Sequence, residues 1–125
     1  MIKKCTWMKP MPPQPLIARF FKTDLGAEPV REWLISSTVA DRKAIGDDIR
    51  TVQIGWPIGM PLVRKLDADL WEVRSHVKDG IARVIFTMHG NIMILLHGFT
   101  KKSQKTPAGD LATAKARLKQ LRGDL

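Results

Sequence analysis

Apolar residues change their spacing three times along this chain, and each change marks a switch between strand and helix. Residues 16–22 (LIARFFK) are an apolar run bounded by Pro15 on one side and Asp24 and Gly26 on the other, which predicts a first strand. From Pro29 the spacing is helical. Val30, Trp33 and Leu34 share a face, and proline fits the first helical position because no N–H is needed there. Ser36, Ser37 and Thr38 break this helix and offer a new N-cap, after which Ile45, Ile49 and Val52 recur at helical intervals. Gly55, Pro57, Gly59 and Pro61 end the second helix. Two short helices in succession predict an antiparallel hairpin that needs a sheet to pack on.

Beyond Pro61 the period becomes two. Residues 62–66 are a short apolar segment. Residues 70–77 alternate, with Trp71, Val73 and Val77 opposing Glu72, Arg74 and His76. Residues 82–88 alternate as well, and 92–99 (IMILLHGF) are apolar on both faces, as a central strand covered from two sides would be. A last helix opens at Thr106 and Pro107, with Leu111, Ala114, Leu118 and Leu121 on one face. The order β-α-α-β-β-β-α predicts an α+β fold: an antiparallel sheet packed on a helical hairpin, with a C-terminal helix. Residues 1–15, rich in proline and methionine, read as an irregular arm, and residues 16–125 as one domain.

Turn chemistry gives a register. Asp79-Gly80 suits a two-residue type I′ turn that pairs Lys78 with Ile81, His76 with Arg83 and Arg74 with Ile85. A three-residue loop would instead put Arg83 among apolar side chains, at the cost of desolvating an unpaired charge. The next turn admits two readings. A three-residue loop, His89-Gly90-Asn91, pairs Arg83 with His97 and places His97 and Phe99 on the polar side. A two-residue Gly90-Asn91 loop sends His97 toward the helices. The three-residue loop is adopted here.

Composition narrows the function classes. The chain has 125 residues, 44% of them hydrophobic, enough for one packed domain. No apolar stretch approaches membrane-spanning length, and the N-terminus lacks the apolar core of a secretory signal. A single cysteine, Cys5, allows no intrachain disulfide, which predicts a reducing, cytoplasmic setting. The three histidines have no ligand spacing, so neither metal nor cofactor is expected.

Charge says more. Twenty-one Lys and Arg against 12 acids give a net charge of +9. Residues 1–22 carry five cations and no acid, residues 23–63 are slightly acidic, and residues 101–125 are again strongly basic. This segregation predicts a polyanion partner, RNA or DNA before a membrane.

The two-residue register brings Glu72, Arg74, His76 and Arg83 to one side of the sheet, with His97 beside them and Lys101 and Lys102 at the strand exit. That set suits metal-free cleavage of RNA by its own 2′-hydroxyl. Arginine and lysine would neutralise the phosphorane, Glu72 or His97 would be the base, and His97 or a lysine the acid. The competing reading is a solvated Glu72–Arg74 ion pair and two arginines that merely contact phosphate. Trp33, Trp71, Phe86 and Leu95 read as core. Trp7 and Trp56, in irregular surroundings, read as exposed, His89 as a turn residue, and Cys5 as no nucleophile.

The segments L-x-x-x-L-W-E-V-R from Leu66, A-R-V-I-F from Ala82, and L-L-H-G-F-T-K-K-S-Q-K-T-P from Leu95 to Pro107 resemble the phage-derived HigB-like toxins of the RelE/ParE superfamily. The resemblance runs from about Leu16 to the C-terminus, and its most specific part is G-F-x-K-K-x-x-K-T-P. It implies the toxin of a type II toxin–antitoxin pair. Such a toxin is a ribosome-dependent endoribonuclease acting on mRNA, neutralised by a cognate helix-turn-helix antitoxin. Carried over residue by residue, it implies Arg74, Arg83 and Lys101 as catalytic, with Glu72 and His97 in proton transfer. Lys65, Lys102, Lys105 and His76 are the expected RNA contacts. Many members use a C-terminal tyrosine. This chain contains none, and Pro107 lies near that place. ParE-like members instead poison DNA gyrase, and a degenerate domain that only binds nucleic acid or antitoxin is a third possibility.

Overall fold

The structure, a computed structural model, describes residues 15–124. The arm over residues 1–14, with Cys5 and Trp7, lies outside the described residues. The order is β1 (Ile17–Phe20), α1 (Pro29–Ser36), α2 (Val39–Gly55), β2 (Val63–Asp67), β3 (Leu70–Val77), β4 (Gly80–His89), β5 (Ile92–Lys101) and α3 (Ala108–Asp124). The five strands form one sheet in the order β1-β5-β4-β3-β2. The α+β architecture expected from periodicity is present. It carries one strand more than expected, because the short apolar segment after Pro61 pairs with β3 as an edge.

Local signals explain the helices. Pro29 stands in the first turn of α1. Thr38 caps α2, its hydroxyl accepting the Asp41 N–H at 3.1 Å. Arg42 closes the corner by donating to the carbonyls of Leu34, Ile35 and Ser37 at the end of α1, the first of which also accepts the Ser37 N–H. The buried stripes are Val30 on α1 and Ile45, Ile49 and Val52 on α2, and they rest on Val63, Val73, Ala82, Val84, Phe86, Met93 and Leu95.

Trp56 belongs to this core too, contrary to the expectation of exposure. Its ring meets Trp71 edge-on at 5.3 Å and Phe86 at 5.6 Å. The irregular segment after α2 folds back over β3 and β4, so its proline and glycine content did not mean a free surface.

The opposite face of the sheet is also covered. Leu70, Ile85, Ile94, Leu96 and Phe99 pack against Ala114 and Leu118 of α3. The sheet is therefore the middle layer of three, and β5, apolar on both sides, is buried between helices. Strands β2 to β5 are antiparallel neighbours, whereas β1 pairs with β5 in parallel, from Ile17 opposite Ile92 to Phe20 opposite Leu95.

Both expected turns are corrected. Val77 faces Gly80, so Lys78 and Asp79 form the loop, and Arg74 stands opposite Arg83 instead of Ile85. A type I′ turn needs positive φ at both loop residues. Neither Lys78 nor Asp79 has it, and Gly80 takes φ +142° as the first strand residue. A Cβ on Gly80 would lie 2.8 Å from the Lys101 carbonyl oxygen, so glycine serves a close approach of β4 to β5. The shift is two residues, which leaves every side chain on its expected face.

At the next turn His89 faces Ile92, the two-residue loop. A bulge between Ile85 and Phe86 then adds one residue on β5: Phe86 opposes Leu95 and Ile85 opposes His97. His97 and Phe99 thereby reach the expected side by a different route.

Candidate functional site

The side of the sheet that carries Glu72, Arg74 and Arg83 is roofed. Residues 102–107 and the start of α3 cross over it, so the expected open concave face is a closed one. Glu72 and Arg83 are 0% exposed and Arg74 is 7% exposed. Alternation along β3 puts Glu72 and Arg74 on this face, and the cross-strand pair Arg74–Arg83 brings the second guanidinium beside the first.

Two arginines and one glutamate out of water need partners in every direction. The Arg74 Nη1 donates to Glu72 Oε1 at 2.8 Å, and its Nη2 donates to Gln104 Oε1 at 2.7 Å. The Gln104 carbonyl accepts from Arg74 Nη1 at 3.3 Å and from Arg64 Nη1 at 3.4 Å. Glu72 Oε2 accepts the Thr106 hydroxyl at 2.7 Å. Arg83 grips the crossing segment with both ends of its fork: Nη1 donates to the Lys105 carbonyl at 2.8 Å and Nη2 to the Ser103 carbonyl. Its Nε has no partner among the described residues. Burial is the main influence lowering the Arg83 guanidinium below its ordinary value. The Glu72 carboxylate opposes that, while Arg74 and Arg64 reinforce it. Arginine nonetheless stays charged in proteins.

The row continues across the sheet. The Arg83 guanidinium sits 5.6 Å from the centre of the Phe99 ring, and the His97 ring stacks on Phe99 at 5.6 Å. His97 is held at both nitrogens. Nε2 meets Asp110 Oδ1 at 2.7 Å, and Arg117 Nη1 approaches Nδ1 at 3.2 Å while also donating to the Leu96 carbonyl at 2.9 Å. This geometry selects the tautomer with the proton on Nε2. Burial lowers the Arg117 guanidinium below its ordinary value.

Of the residues singled out in the sequence, Glu72, Arg74 and Arg83 are thus brought together, with His97 two strand positions from Phe99. Lys101, Lys102 and Lys105 are exposed along the crossing segment. His76 is exposed farther along β3, opposite Ile81. Lys65 stands apart: it faces Trp71 from β2, its ammonium 5.4 Å from the ring centre, on the side of the helical hairpin.

Sequence reasoning missed Arg64, Gln104, Thr106, Asp110 and Arg117. The motif K-K-S-Q-K-T-P did mark the segment. It gave no sign that its backbone carbonyls, and not its lysines, face the arginines. Among the described residues no group of three His, Cys, Asp or Glu side chains is placed to hold a metal ion, and no helix is long and apolar enough to cross a membrane.

Residues 32–119 match the model of the family described as phage derived protein Gp49-like (DUF891). No curated protein matches the chain. The match runs from within α1 through most of α3, and it contains every residue of the buried cluster of Glu72, Arg74 and Arg83 and of the crossing segment. The chain therefore belongs to the phage-derived Gp49-like family, which is part of the RelE/HigB-like toxins.

Proposed function

We propose that this chain is the toxin of a type II toxin–antitoxin pair and acts as a ribosome-dependent endoribonuclease on mRNA, with a cognate helix-turn-helix antitoxin as its inhibitor. Family membership supports the toxin role. The observation that carries the RNA reading is the crossing segment itself: exposed Lys101, Lys102 and Lys105 stand on a backbone fastened from below by Arg74 and Arg83. A cationic surface held this firmly can bind phosphate without first losing much conformational entropy.

Cleavage without a metal then proceeds by attack of the 2′-oxygen on the adjacent phosphorus. His97 takes the 2′-hydroxyl proton on Nδ1, which requires Arg117 to release that nitrogen, while Asp110 steadies the opposite side of the ring. The lysines balance the charge on the phosphorane, and the departing 5′-oxygen takes its proton from a lysine or water. The products are a 2′,3′-cyclic phosphate and a 5′-hydroxyl.

One observation favours a second reading, a toxin without nuclease chemistry that acts on a protein target such as DNA gyrase. Both oxygens of Glu72 and both nitrogens of His97 are already engaged. Induction in a bacterial host with primer extension on a well-translated mRNA separates the two. New 5′ ends within codons, lost when translation is blocked and lost in His97→Ala, support the nuclease. Growth arrest with unbroken mRNA and a DNA-damage response moves the assignment to gyrase.

A further inference from the structure

Residues 103–105 turn three successive carbonyls toward the sheet, those of Ser103 and Lys105 to Arg83 and that of Gln104 to Arg74 and Arg64. In a trans peptide the C=O and the N–H that follows it point in opposite directions. The cis bonds among the described residues are Trp56–Pro57 and Met60–Pro61, so the crossing segment is trans throughout. The N–H groups of Gln104, Lys105 and Thr106 therefore point away from the arginines. None of the three donates a hydrogen bond to another of the described residues. Successive outward amides at a bend form a concavity suited to an anion. Each of these peptides is also polarised by a guanidinium at its carbonyl end, which makes the N–H a stronger donor. The ammonium groups of Lys101, Lys102 and Lys105 are carried on the same short stretch.

We propose that the main-chain amides of Gln104, Lys105 and Thr106 form a phosphate site whose ligand is a backbone phosphodiester of single-stranded RNA. Arg74 and Arg83 are then positioning residues: they never touch the RNA and act through the carbonyls they hold. The proposal rests on the RNA-directed reading above and adds to it the place where a phosphate docks. Contacts of this kind fix register on the strand and carry no base preference.

The test is an amide-resolved NMR titration of the ¹⁵N-labelled full chain with a single-stranded RNA pentanucleotide, beside a matched sodium chloride series and a series with inorganic phosphate. With RNA, the Gln104, Lys105 and Thr106 amide protons are expected to move downfield together and to saturate. Lys105→Ala removes an ammonium but keeps the amide, so its RNA binding weakens while the three amide protons still move downfield at saturation. Arg83→Met loses them and binds RNA roughly tenfold or more weakly, the scale of a hydrogen bond to a charged group. Should Arg83→Met fail to fold, Lys105→Pro replaces it, because proline removes the N–H that alanine keeps. Weaker RNA binding by the proline variant than by the alanine variant is then the expected result.

RNA binding that leaves the three amides unmoved overturns this site and spares the RNA-directed reading. A response to inorganic phosphate but not to RNA overturns the assigned ligand. Absence of RNA binding altogether overturns the reading on which the site rests.

Discussion

Arg74 and Arg83 stand directly opposite each other across β3 and β4, two like charges buried on the same face of a sheet. Direct opposition of like charges is unfavourable. It is tolerated here because Glu72 lies between the pair in charge, if not in register, and because the crossing segment offers three carbonyls and an amide oxygen. Glu72→Gln keeps the shape and removes the one carboxylate that, among the described residues, is bonded to this pair. Stability is expected to fall by about 3 kcal/mol, the scale for a buried pair that loses one partner. Urea denaturation measures it, and a loss under about 1 kcal/mol would mean that the carbonyls alone neutralise the arginines.

Thr106 fixes the far oxygen of Glu72 with its hydroxyl. Thr106→Val is nearly isosteric and leaves that oxygen with no donor, at a cost of about 1–3 kcal/mol. Thr106→Ser restores the donor and recovers most of the loss in the same thermal unfolding assay. Equal melting of both variants would sink this account.

Gly98 passes directly beneath the indole of Trp33, and a Cβ there would lie 2.4 Å from the ring. Gly98→Ala is therefore expected to destabilise by about 1–3 kcal/mol through overpacking. Pairing it with Trp33→Leu makes room for the methyl group, so the double variant loses less than the two single losses summed. Strict additivity in a double-mutant cycle would contradict the contact.

Asp67 is held below the ordinary carboxyl range, first by its hydrogen bond from Lys115 at 2.8 Å and then by the Ala68 N–H. A carboxyl depressed in the folded chain stabilises it above the unfolded-state value of about 3.9, and that stabilisation disappears as the pH falls through the lower folded value. Asp67→Asn should flatten the acid limb of a melting-temperature profile below about pH 4. The pair is exposed, so the effect is small and weakens further in salt. An unchanged acid limb would show that Lys115 does not perturb Asp67.

The parts of this fold written in local spacing were readable from the chain. Val30, Ile45, Ile49 and Val52 lie on the buried stripes their intervals predict, and β5 is covered on both faces as its unbroken apolar run requires. The faces of Glu72, Arg74 and Arg83 were also readable, because a two-residue error in register preserves the pleat. The roof was not. Residues 102–107 have no periodicity, and what holds them is the backbone carbonyl, a group that every residue carries and that no pattern of side chains announces. Trp56 escaped for a related reason: its place against Trp71 and Phe86 depends on the path of an irregular segment.

The bulge on β5 has a consequence for how the chain can vary. If the ladder ran on without the bulge while the chain kept its length, every later side chain of β5 would swap sides. His97, the partner of Asp110, would leave α3 for the hairpin core, and Phe99 would turn toward Trp33. Deleting Leu96 itself has no such effect, because His97 still falls opposite Ile85 and the strand beyond keeps its faces; what is lost is one buried leucine side chain. The length of β5 can therefore change by one residue at the bulge without any change in the His89–Ile92 turn.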